Sequence, residues 1–338
     1  MVETKRYQYI ISIFVIGLLL GTPLYANQPD PPGQIVSGKA VNEAYLFAHM
    51  IHGDYGRLYY SVSKDGLHWT LLNNGKRVFD EYRGHADICQ GHDNCYYLVG
   101  NNNDKAPDIY FFVSDDLITW DHYSKVTPEL NKTPGYANAM QRIGAPKLFF
   151  DIDSKQYLLS WHTPHTGVDP NLPEPYWVSQ RTLYMTSKDL KTFDNWDMAT
   201  IDVIIRKSQG HYYAIIKDER YPTLDWTTGK TIRISKADKL LGPYPKPGSS
   251  ISPNFREAPT LIPSPDGKIW YLYYEQYPGV SYGLSVADNL NGPWYQISGY
   301  TFFSDWDKYI LPPQVRHGCM ISITYKQYNA VIEAFPNR

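Results

Sequence analysis

Ionisable side chains stand at the start of several apolar runs in this sequence, and they are of the types that transfer protons. Asp202 precedes Val-Ile-Ile, Glu257 precedes Ala-Pro-Thr-Leu, and His85 and Asp87 lie just before Ile-Cys. A charge beside a buried run requires a partner or a function. Acid–base catalysis needs one group that stays protonated and another that stays free to accept a proton. These residues predict such chemistry if the fold brings them together.

A phrase of serine, aspartate and an aromatic residue recurs five times along the chain. Clear copies span Ser63–Trp69, Ser114–Trp120 and Ser187–Phe193, and looser copies begin at Ser235 and Ser285. The copies lie roughly 50 to 70 residues apart, which is typical of a repeat architecture. Each follows runs of β-branched and aromatic residues separated by turns, as strands do. Five units of about four antiparallel strands predict an all-β, five-bladed β-propeller.

The first unit has no innermost strand, because it begins at Tyr45–His49 with the pattern of a second strand. The missing pattern occurs at His317–Thr324, near the other end of the chain. A closed ring leaves no unpaired sheet edge, so we expect this C-terminal strand to complete the first blade. Apolar spacing predicts a short helix over Tyr328–Phe335. The aromatic residues of the repeated phrase should wedge between blades and bury apolar area.

Composition and the N-terminal segment limit the classes of function that this chain can have. The 338 residues are 43% apolar, enough for one large core, and the net charge of −2 without a basic stripe argues against a nucleic acid partner. Basic residues, a short apolar stretch and Ala26 predict a signal peptide over residues 1–26 and a periplasmic or secreted protein. An uncleaved anchor is the alternative. We expect a linker arm over residues 27–43, a propeller over 44–338, and a monomer.

Three cysteines occur, Cys89, Cys95 and Cys319, and their spacing fits no metal-binding motif. Cys89 and Cys95 flank a hairpin turn and could be neighbours across it. The odd number and the single short spacing predict that the fold does not depend on a disulfide framework.

In a propeller the innermost strands line a central channel, so residues at the start of those strands ring one mouth of it. The second blade contributes His85 and Asp87, the fourth Asp202, the fifth Glu257, and the closing strand Arg316 and His317. The third blade contributes Gly144-Ala-Pro, which has no ionisable group. The predicted topology therefore gathers acids, imidazoles and an arginine from distant segments.

This ordered set resembles glycoside hydrolase family 43 and its five-bladed relatives, from about Tyr45 to Phe335. The similarity lies in the inner-strand Ile-Asp, the Glu-Ala-Pro of the next blade, the Gly-Pro-aromatic phrases and the closing Arg-His-Gly. It implies hydrolysis of a glycosidic bond with inversion, with Glu257 as general acid and Asp202 orienting that acid and tuning its pKa. His317 matches a channel histidine that in some members helps to hold water or calcium; no other cofactor is implied.

The general base departs from the family pattern, which has an aspartate, often Asp-Pro, at the head of an inner strand. Counting back from the Cys-Tyr-Tyr-Leu strand puts His85 in that place. Asp87 is the base if the segment shifts by two residues, which keeps the same side of the strand. His85 is itself a suitable base near neutral pH. The third alternative is that the base is lost, leaving a carbohydrate-binding propeller or substrate-assisted chemistry.

Sugar binding requires flat apolar faces and polar groups around them. The candidates from strand ends and from a long loop in the third blade are Trp161, His162, Lys217, Arg256, His317 and His49. Plain packing is the competing interpretation for Trp161 and His162, and a packed surface histidine is the competing interpretation for His49. Glu219 is expected to be a solvated surface charge. The long loop suggests a pocket and exo action. Arabinofuranosyl, xylosyl and galactosyl linkages all fit the resemblance, since a fold alone does not select a sugar.

Overall fold

The computed structural model describes residues 42–102, 107–136, 142–199, 203–276, 279–297 and 308–338. The predicted signal peptide and nearly all of the arm lie outside these ranges, and so does Asp202. Five antiparallel sheets stand around a ring, and each innermost strand contacts those of its neighbours. The predicted all-β, five-bladed propeller is confirmed.

We number the blades I to V in chain order and give the strands of each from the innermost outward. Blade I contains Val315–Ile323, Ala44–Ile51, Asp54–Ser63 and Thr70–Leu71. Blade II contains Asp87–Gln90, Tyr96–Gly100, Ile109–Ser114 and Asp121–Val126. Blade III contains Gly144–Asp151, Gln156–Pro164, Gln180–Ser187 and Asp194–Ala199. Blade IV contains the described strands Val203–Ser208, His211–Asp218 and Thr231–Ala237. Blade V contains Arg256–Pro263, Trp270–Gln276, Tyr282–Ala287 and Tyr295–Ile297.

The ring closes as the sequence predicts. Val315–Ile323 pairs antiparallel with Ala44–Ile51, so that Ala44 faces Ile323 and Phe47 faces Met320. At Gly318 an added Cβ would lie 2.1 Å from the Ala48 carbonyl oxygen of the partner strand. A side chain at this position would therefore separate the two ends of the ring.

Helices are short and lie outside the sheets. The helix Tyr325–Ala334 confirms the predicted C-terminal helix, and a capping box formed by Thr324 and Gln327 begins it. The helix Pro175–Val178 lies in the long loop of blade III. Single 3₁₀ turns cover Asn73–Gly75 and Leu130–Lys132. None of the helices in the described ranges has the length and apolar content needed to cross a bilayer.

The repeated phrase forms the same turn in blades I, II and III. In blade II the Ser114 hydroxyl accepts the Leu117 backbone N–H at 2.9 Å, and Asp116 accepts the N–H groups of Ile118 and Thr119 at 2.7 and 2.8 Å. Equivalent bonds form around Ser63 and Ser187. A serine and an aspartate thus satisfy backbone donors that the strand no longer pairs.

The aromatic residue that ends each clear copy packs against the preceding blade, as predicted. The Trp69 ring of blade I lies 6.5 Å, centroid to centroid, from Tyr273 of blade V. The Trp120 indole N–H of blade II donates to the Tyr60 hydroxyl of blade I at 2.9 Å. The Phe193 ring of blade III stacks on Phe111 of blade II with centroids 5.8 Å apart. Each repeat therefore supplies its own contact between neighbouring blades.

Removing the serine hydroxyl of one such turn should lower the free energy of unfolding by a modest, measurable amount. We expect Ser114→Ala to lower the free energy of unfolding by about 1–2 kcal/mol, because the buried Leu117 N–H and the partly buried Asp116 N–H lose their acceptor. Ser249→Ala, at an exposed position, is the matched control and should be neutral. Urea denaturation followed by tryptophan fluorescence measures both, and equal stability of the two variants would contradict this role for the serine.

The cysteines are three free thiols, two of them buried. The register of blade II pairs Cys89 with Tyr97, so Cys89 and Cys95 are not neighbours across the hairpin. The suggestion that they face each other was wrong because the hairpin is centred at Asp93, one residue beyond the position that a Cys89–Cys95 pairing requires. Cys319 accepts the Ile88 backbone N–H at 3.1 Å and so links blades I and II.

Candidate active site

Irregularities in the strands re-aim side chains at one mouth of the channel. The pairing register shifts between Gly144 and Lys147 in blade III and between Glu257 and Thr260 in blade V. Ala145 and Ala258, at these two shifts, have φ values of 40° and 47°. His317 of the closing strand also has a positive φ, 22°. Bulges of this kind are common beside active sites, where they turn a side chain out of the alternating pattern.

A cavity of about 230 Å³ opens where these irregular segments meet. Its lining draws on all five blades: Arg316 and His317 from blade I, His85 from II, Lys147 and His162 from III, Lys217 and Glu219 from IV, and Glu257 from V. The structure thus brings together five of the predicted site residues, namely His85, His162, Lys217, Glu257 and His317.

Glu257 lies among cationic groups in this cavity. One of its oxygens accepts a hydrogen bond from the Lys217 ammonium at 2.9 Å. The other lies 3.5 Å from the Arg316 guanidinium and 3.7 Å from Nε2 of His317. The side chain of Glu257 is only 13% exposed. Little water therefore screens its charge from these cationic groups.

A second carboxylate, Glu275, was not predicted. It pairs directly across the sheet from Glu257 and is fully buried. Arg316 donates to one of its oxygens at 2.5 Å, and the His317 backbone N–H donates to the other at 3.0 Å. Burial, together with the nearby charge of Glu257, raises the pKa of Glu275 to about 7, although Arg316 acts in the opposite direction. Glu257 and Glu275 are therefore two interacting carboxyl groups in one site.

His85 and Asp87 have different surroundings. The His85 ring lines the cavity and stacks on His317, with centroids 4.6 Å apart and an interplanar angle of 16°. Its Nε2 lies 2.5 Å from the Tyr55 hydroxyl. Asp87 is buried, accepts the Leu148 backbone N–H at 2.7 Å, and does not belong to the cavity lining. Its hydrogen bond to Leu148 joins blades II and III, so this carboxyl group does not face the site, and burial raises its pKa.

His162 occupies space that a side chain would otherwise fill. A Cβ added to Gly144 would lie 2.0 Å from Nε2 of His162, so the imidazole covers this glycine directly. The absence of an ionisable group at the head of the blade III strand is thus matched by an imidazole from its partner strand.

Three predicted binding residues lie away from the cavity. Trp161 is 1% exposed and packs in the core between blades II and III, so it presents no stacking face. His49 is fully buried, contacts the Ser61 hydroxyl at 2.8 Å, and burial lowers its pKa to about 4. Arg256 donates to backbone carbonyls of its own loop. These placements correct the expectation that the three bind sugar.

A row of charges of alternating sign, which we call the ionic ladder, runs along one wall of the cavity and continues beyond its lining at both ends: Glu174, Lys230, Glu219, Lys217, Glu257, Arg316 and Glu275. Glu219 is 6% exposed and lies 2.6 Å from both lysines, so the expectation of a solvated surface charge was wrong. The signal in the sequence was a Lys-Asp-Glu-Arg run at the end of a buried strand. Charged side chains in such a run become buried only where partners of opposite charge compensate them.

A calcium ion near His317 does not fit the side chains present. Ligand atoms of Glu257, Glu275 and His317 lie within 4.8 Å of one another. However, the Arg316 guanidinium contacts both carboxylates and already supplies the positive charge that an ion would bring. We therefore assign no step to a metal.

Similarity to solved structures is remote. An exo-β-1,3-galactanase from Phanerochaete chrysosporium is 16% identical, covering 63% of this chain and 49% of that one, with a TM-score of 0.48. An exo-β-1,3-galactanase from Clostridium thermocellum is 16% identical, covering 68% and 52%, with a TM-score of 0.49. An α-L-arabinofuranosidase from Lactobacillus brevis is 14% identical, covering 66% and 74%, with a TM-score of 0.49. The chain spans about half the length of the two galactanases.

Among curated protein sequences, none matches this chain. A family described as "Probable glycosyl hydrolase domain", related to glycoside hydrolase family 43, matches residues 41–329. That range covers the propeller and contains every residue of the cavity lining. The chain therefore belongs to this family 43-related group of glycosyl hydrolase domains.

Proposed function

We propose that the protein is an exported glycosidase that removes a terminal sugar from a polysaccharide or oligosaccharide with inversion. The observation that carries the proposal is a carboxyl group, Glu257, in the same cavity as the stacked imidazoles of His317 and His85. This pairing supplies a proton donor and a proton acceptor in a partly dehydrated site.

In the proposed mechanism Glu257 donates its proton to the glycosidic oxygen as the bond to the anomeric carbon breaks. A water attacks that carbon from the opposite face, and His85 accepts the proton that the water loses. His317 contacts both groups, because its Nε2 lies 3.7 Å from Glu257 and its ring stacks on His85. An inverting enzyme needs its acid and base on opposite faces of the sugar ring, with room for a water.

Glu275 and Arg316 position the acid in this scheme. Glu275 lies directly across the sheet from Glu257, and burial and the charge of Glu257 raise its pKa, whereas Arg316 contacts both carboxyl groups and holds them in place. A small cavity beside the loop that carries Trp177 supports exo action on a single sugar unit. Arabinofuranosyl, xylosyl and galactosyl units all remain within the proposal, and the basic, apolar N-terminal segment supports export.

A carbohydrate-binding propeller without catalysis is the alternative, and one observation favours it. Glu257 is paired with Lys217 and Arg316, and an ionised carboxylate accepts hydrogen bonds but does not donate a proton. In that case the cavity would hold a sugar through the same groups and release it unchanged.

Product analysis separates the two functions. The purified chain is incubated with arabinan, xylan, galactan and matching aryl glycosides, and released sugars are followed by chromatography and by proton NMR of the anomeric signal. Release of a monosaccharide whose first-formed anomer is opposite to the bond cleaved supports the inverting glycosidase. Saturable binding without release supports the binding propeller, and retention of the anomeric configuration contradicts the mechanism.

Replacing the proposed base should slow turnover. We expect His85→Ala to lower kcat by about 10²-fold, because the attacking water loses its proton acceptor. Added imidazole should restore part of the rate, since it supplies the missing base in the space that the side chain vacates. His52→Ala, at a residue outside the cavity lining, is the control. A wild-type rate in His85→Ala would remove the histidine from the mechanism.

A further inference from the structure

A loop of blade III reaches the neighbouring blade at the mouth of the cavity. This blade III loop, residues 165–179, joins the second and third strands of its sheet and carries the helix Pro175–Val178. Trp177 of that helix lines the cavity. Directly before the helix, the Glu174 carboxylate lies 2.8 Å from the ammonium of Lys230, which also lines the cavity and directly precedes the third strand of blade IV. An ion pair therefore crosses from blade III to blade IV at the cavity.

Lys230 is a fixed partner for this contact. Its side chain is 2% exposed, and its ammonium also lies 2.6 Å from the Glu219 carboxylate. Its backbone N–H donates to the Arg220 carbonyl at 2.9 Å, and its carbonyl accepts the Arg256 N–H at 2.7 Å. A buried ammonium is stable only where partners of opposite charge surround it, so Lys230 holds Glu174 from a rigid position on blade IV.

The helix that follows Glu174 is tied to blade III. Arg142 donates to the Tyr176 hydroxyl, and its guanidinium lies 5.4 Å from the Trp177 ring centroid. Arg181, on the third strand of the blade, donates to the Val178 carbonyl at 2.8 Å. The helix therefore has a defined position against blade III, and the indole has a defined position in the cavity wall.

Glu174 has a backbone conformation that needs support from its surroundings. Its φ and ψ are 49° and 57°, in the left-handed region that residues with a side chain seldom adopt. Such conformations persist where surrounding contacts hold them, and they cluster at segments that clamp ligands. The ion pair with Lys230 is a contact of this kind, because it fixes the side chain of the residue at which the loop turns into the helix.

We propose that the ion pair between Glu174 and Lys230 determines specificity, because it holds the blade III loop across the gap between blades III and IV and so admits only the end of a glycan chain. This inference rests on the proposed function, since it names what limits the substrate of the same cavity. A cavity of about 230 Å³ holds one sugar ring. An internal unit would need an exit on each side of that ring for its two neighbours, whereas a terminal unit needs only one.

Electrophoresis in gels that contain polysaccharide tests this without depending on hydrolysis. The full chain is run under native conditions with linear arabinan, xylan or galactan in the gel, because these long polymers offer many internal units and few ends. We expect Glu174→Ala to bind at least one of the three about tenfold more tightly than the wild type does. Its affinity for free arabinose, xylose or galactose, measured by isothermal titration, should stay within about twofold of the wild-type value.

A double-mutant cycle assigns the effect to the pair. Lys230→Met should release the loop in the same way. The variant that combines both changes should bind the polysaccharide no more tightly than either single variant, because the contact is already lost. Asp169→Ala is the matched control and should behave as the wild type does. Asp169 is an exposed acid of the same loop, and it accepts the backbone N–H of Asn171.

Hydrogen exchange measures the loop itself and needs no ligand. Backbone amides of residues 165–179 should exchange about tenfold faster in Glu174→Ala than in the wild type, because the loop opens more often without the ion pair. Amides of the blade II strand Tyr96–Gly100 should keep their wild-type rates, which shows that the fold is intact.

Unchanged exchange of the loop in Glu174→Ala overturns the proposal, and so does unchanged retardation by all three polysaccharides. Effects of the two single variants that add in the double variant also overturn it, because the residues would then act separately. Tighter binding of polysaccharide by Glu174→Ala without hydrolysis of any glycoside would leave this inference standing and refute the glycosidase. Release of terminal sugars by the wild type, with unchanged exchange and retardation in Glu174→Ala, would do the reverse.

Discussion

Replacing Glu257 with glutamine should lower kcat by about 10²–10⁴-fold while the protein remains folded, because the amide keeps the shape of the acid but has no proton to donate. The loss should depend on the leaving group. Glycosides with a dinitrophenolate leaving group need little protonation of the departing oxygen. Their kcat should therefore fall far less than the kcat for natural glycosides. Steady-state rates on the two classes of substrate measure this difference.

Glu219→Gln is the control for this experiment. Glu219 also lines the cavity and also contacts Lys217, at 2.6 Å, yet it has no proposed part in proton transfer. Its replacement should change KM more than kcat, with no dependence on the leaving group. An equal loss of rate for both leaving groups in Glu257→Gln would show that this residue is not the general acid.

Replacing Arg316 with methionine should destabilise the fold strongly and in a pH-dependent way. Arg316 contacts Glu275, which is fully buried, and removal of one partner of a buried pair costs about 3–5 kcal/mol. The pKa of Glu275 in the folded protein is about 7, above its ordinary value. Glu275 is therefore mostly neutral in the folded protein at about pH 5, where the loss of stability in the variant should be small. At about pH 8 Glu275 is ionised, and the loss of stability should reach its full size.

Thermal unfolding of wild type and variant across this pH range measures the effect. The direction of the pH dependence follows from the pKa of Glu275. A carboxyl group whose pKa is raised in the folded protein makes the fold less stable as the pH rises towards that pKa. Adding Glu275→Gln to Arg316→Met removes the buried charge and should flatten the pH dependence. A loss of stability that is equal at both pH values would contradict an ion pair between these residues.

The sequence predicted the ring but only part of the site. The repeated turn and its aromatic residue recur once in each unit, and each copy forms its own turn and blade contacts, so five blades follow from pattern alone. The start of each inner strand was the right place to find Glu257, His85 and His317. Topology places the starts of the inner strands at one mouth, and the local register then decides which side chains face the cavity, as Glu257 does and Asp87 does not.

Residues from second strands and loops were harder to predict. Glu275 ends an aromatic strand, and only the register with Glu257 shows that the two carboxyl groups are neighbours. Trp161 was misplaced for a related reason. It lies on the strand Gln156–Pro164, and whether an indole there faces core or cavity depends on its alternation along the strand. The indole that lines the cavity is Trp177, from the helix Pro175–Val178.

The closing strand has a consequence for how activity first arises during synthesis. Arg316 and His317 lie on Val315–Ile323, which the ribosome makes after every other strand of the ring. A nascent chain that has folded four blades still lacks these two side chains and the partner for Ala44–Ile51. The last strand thus completes both the toroid and the candidate active site. A chain that ends before this strand is expected to show no activity on glycans.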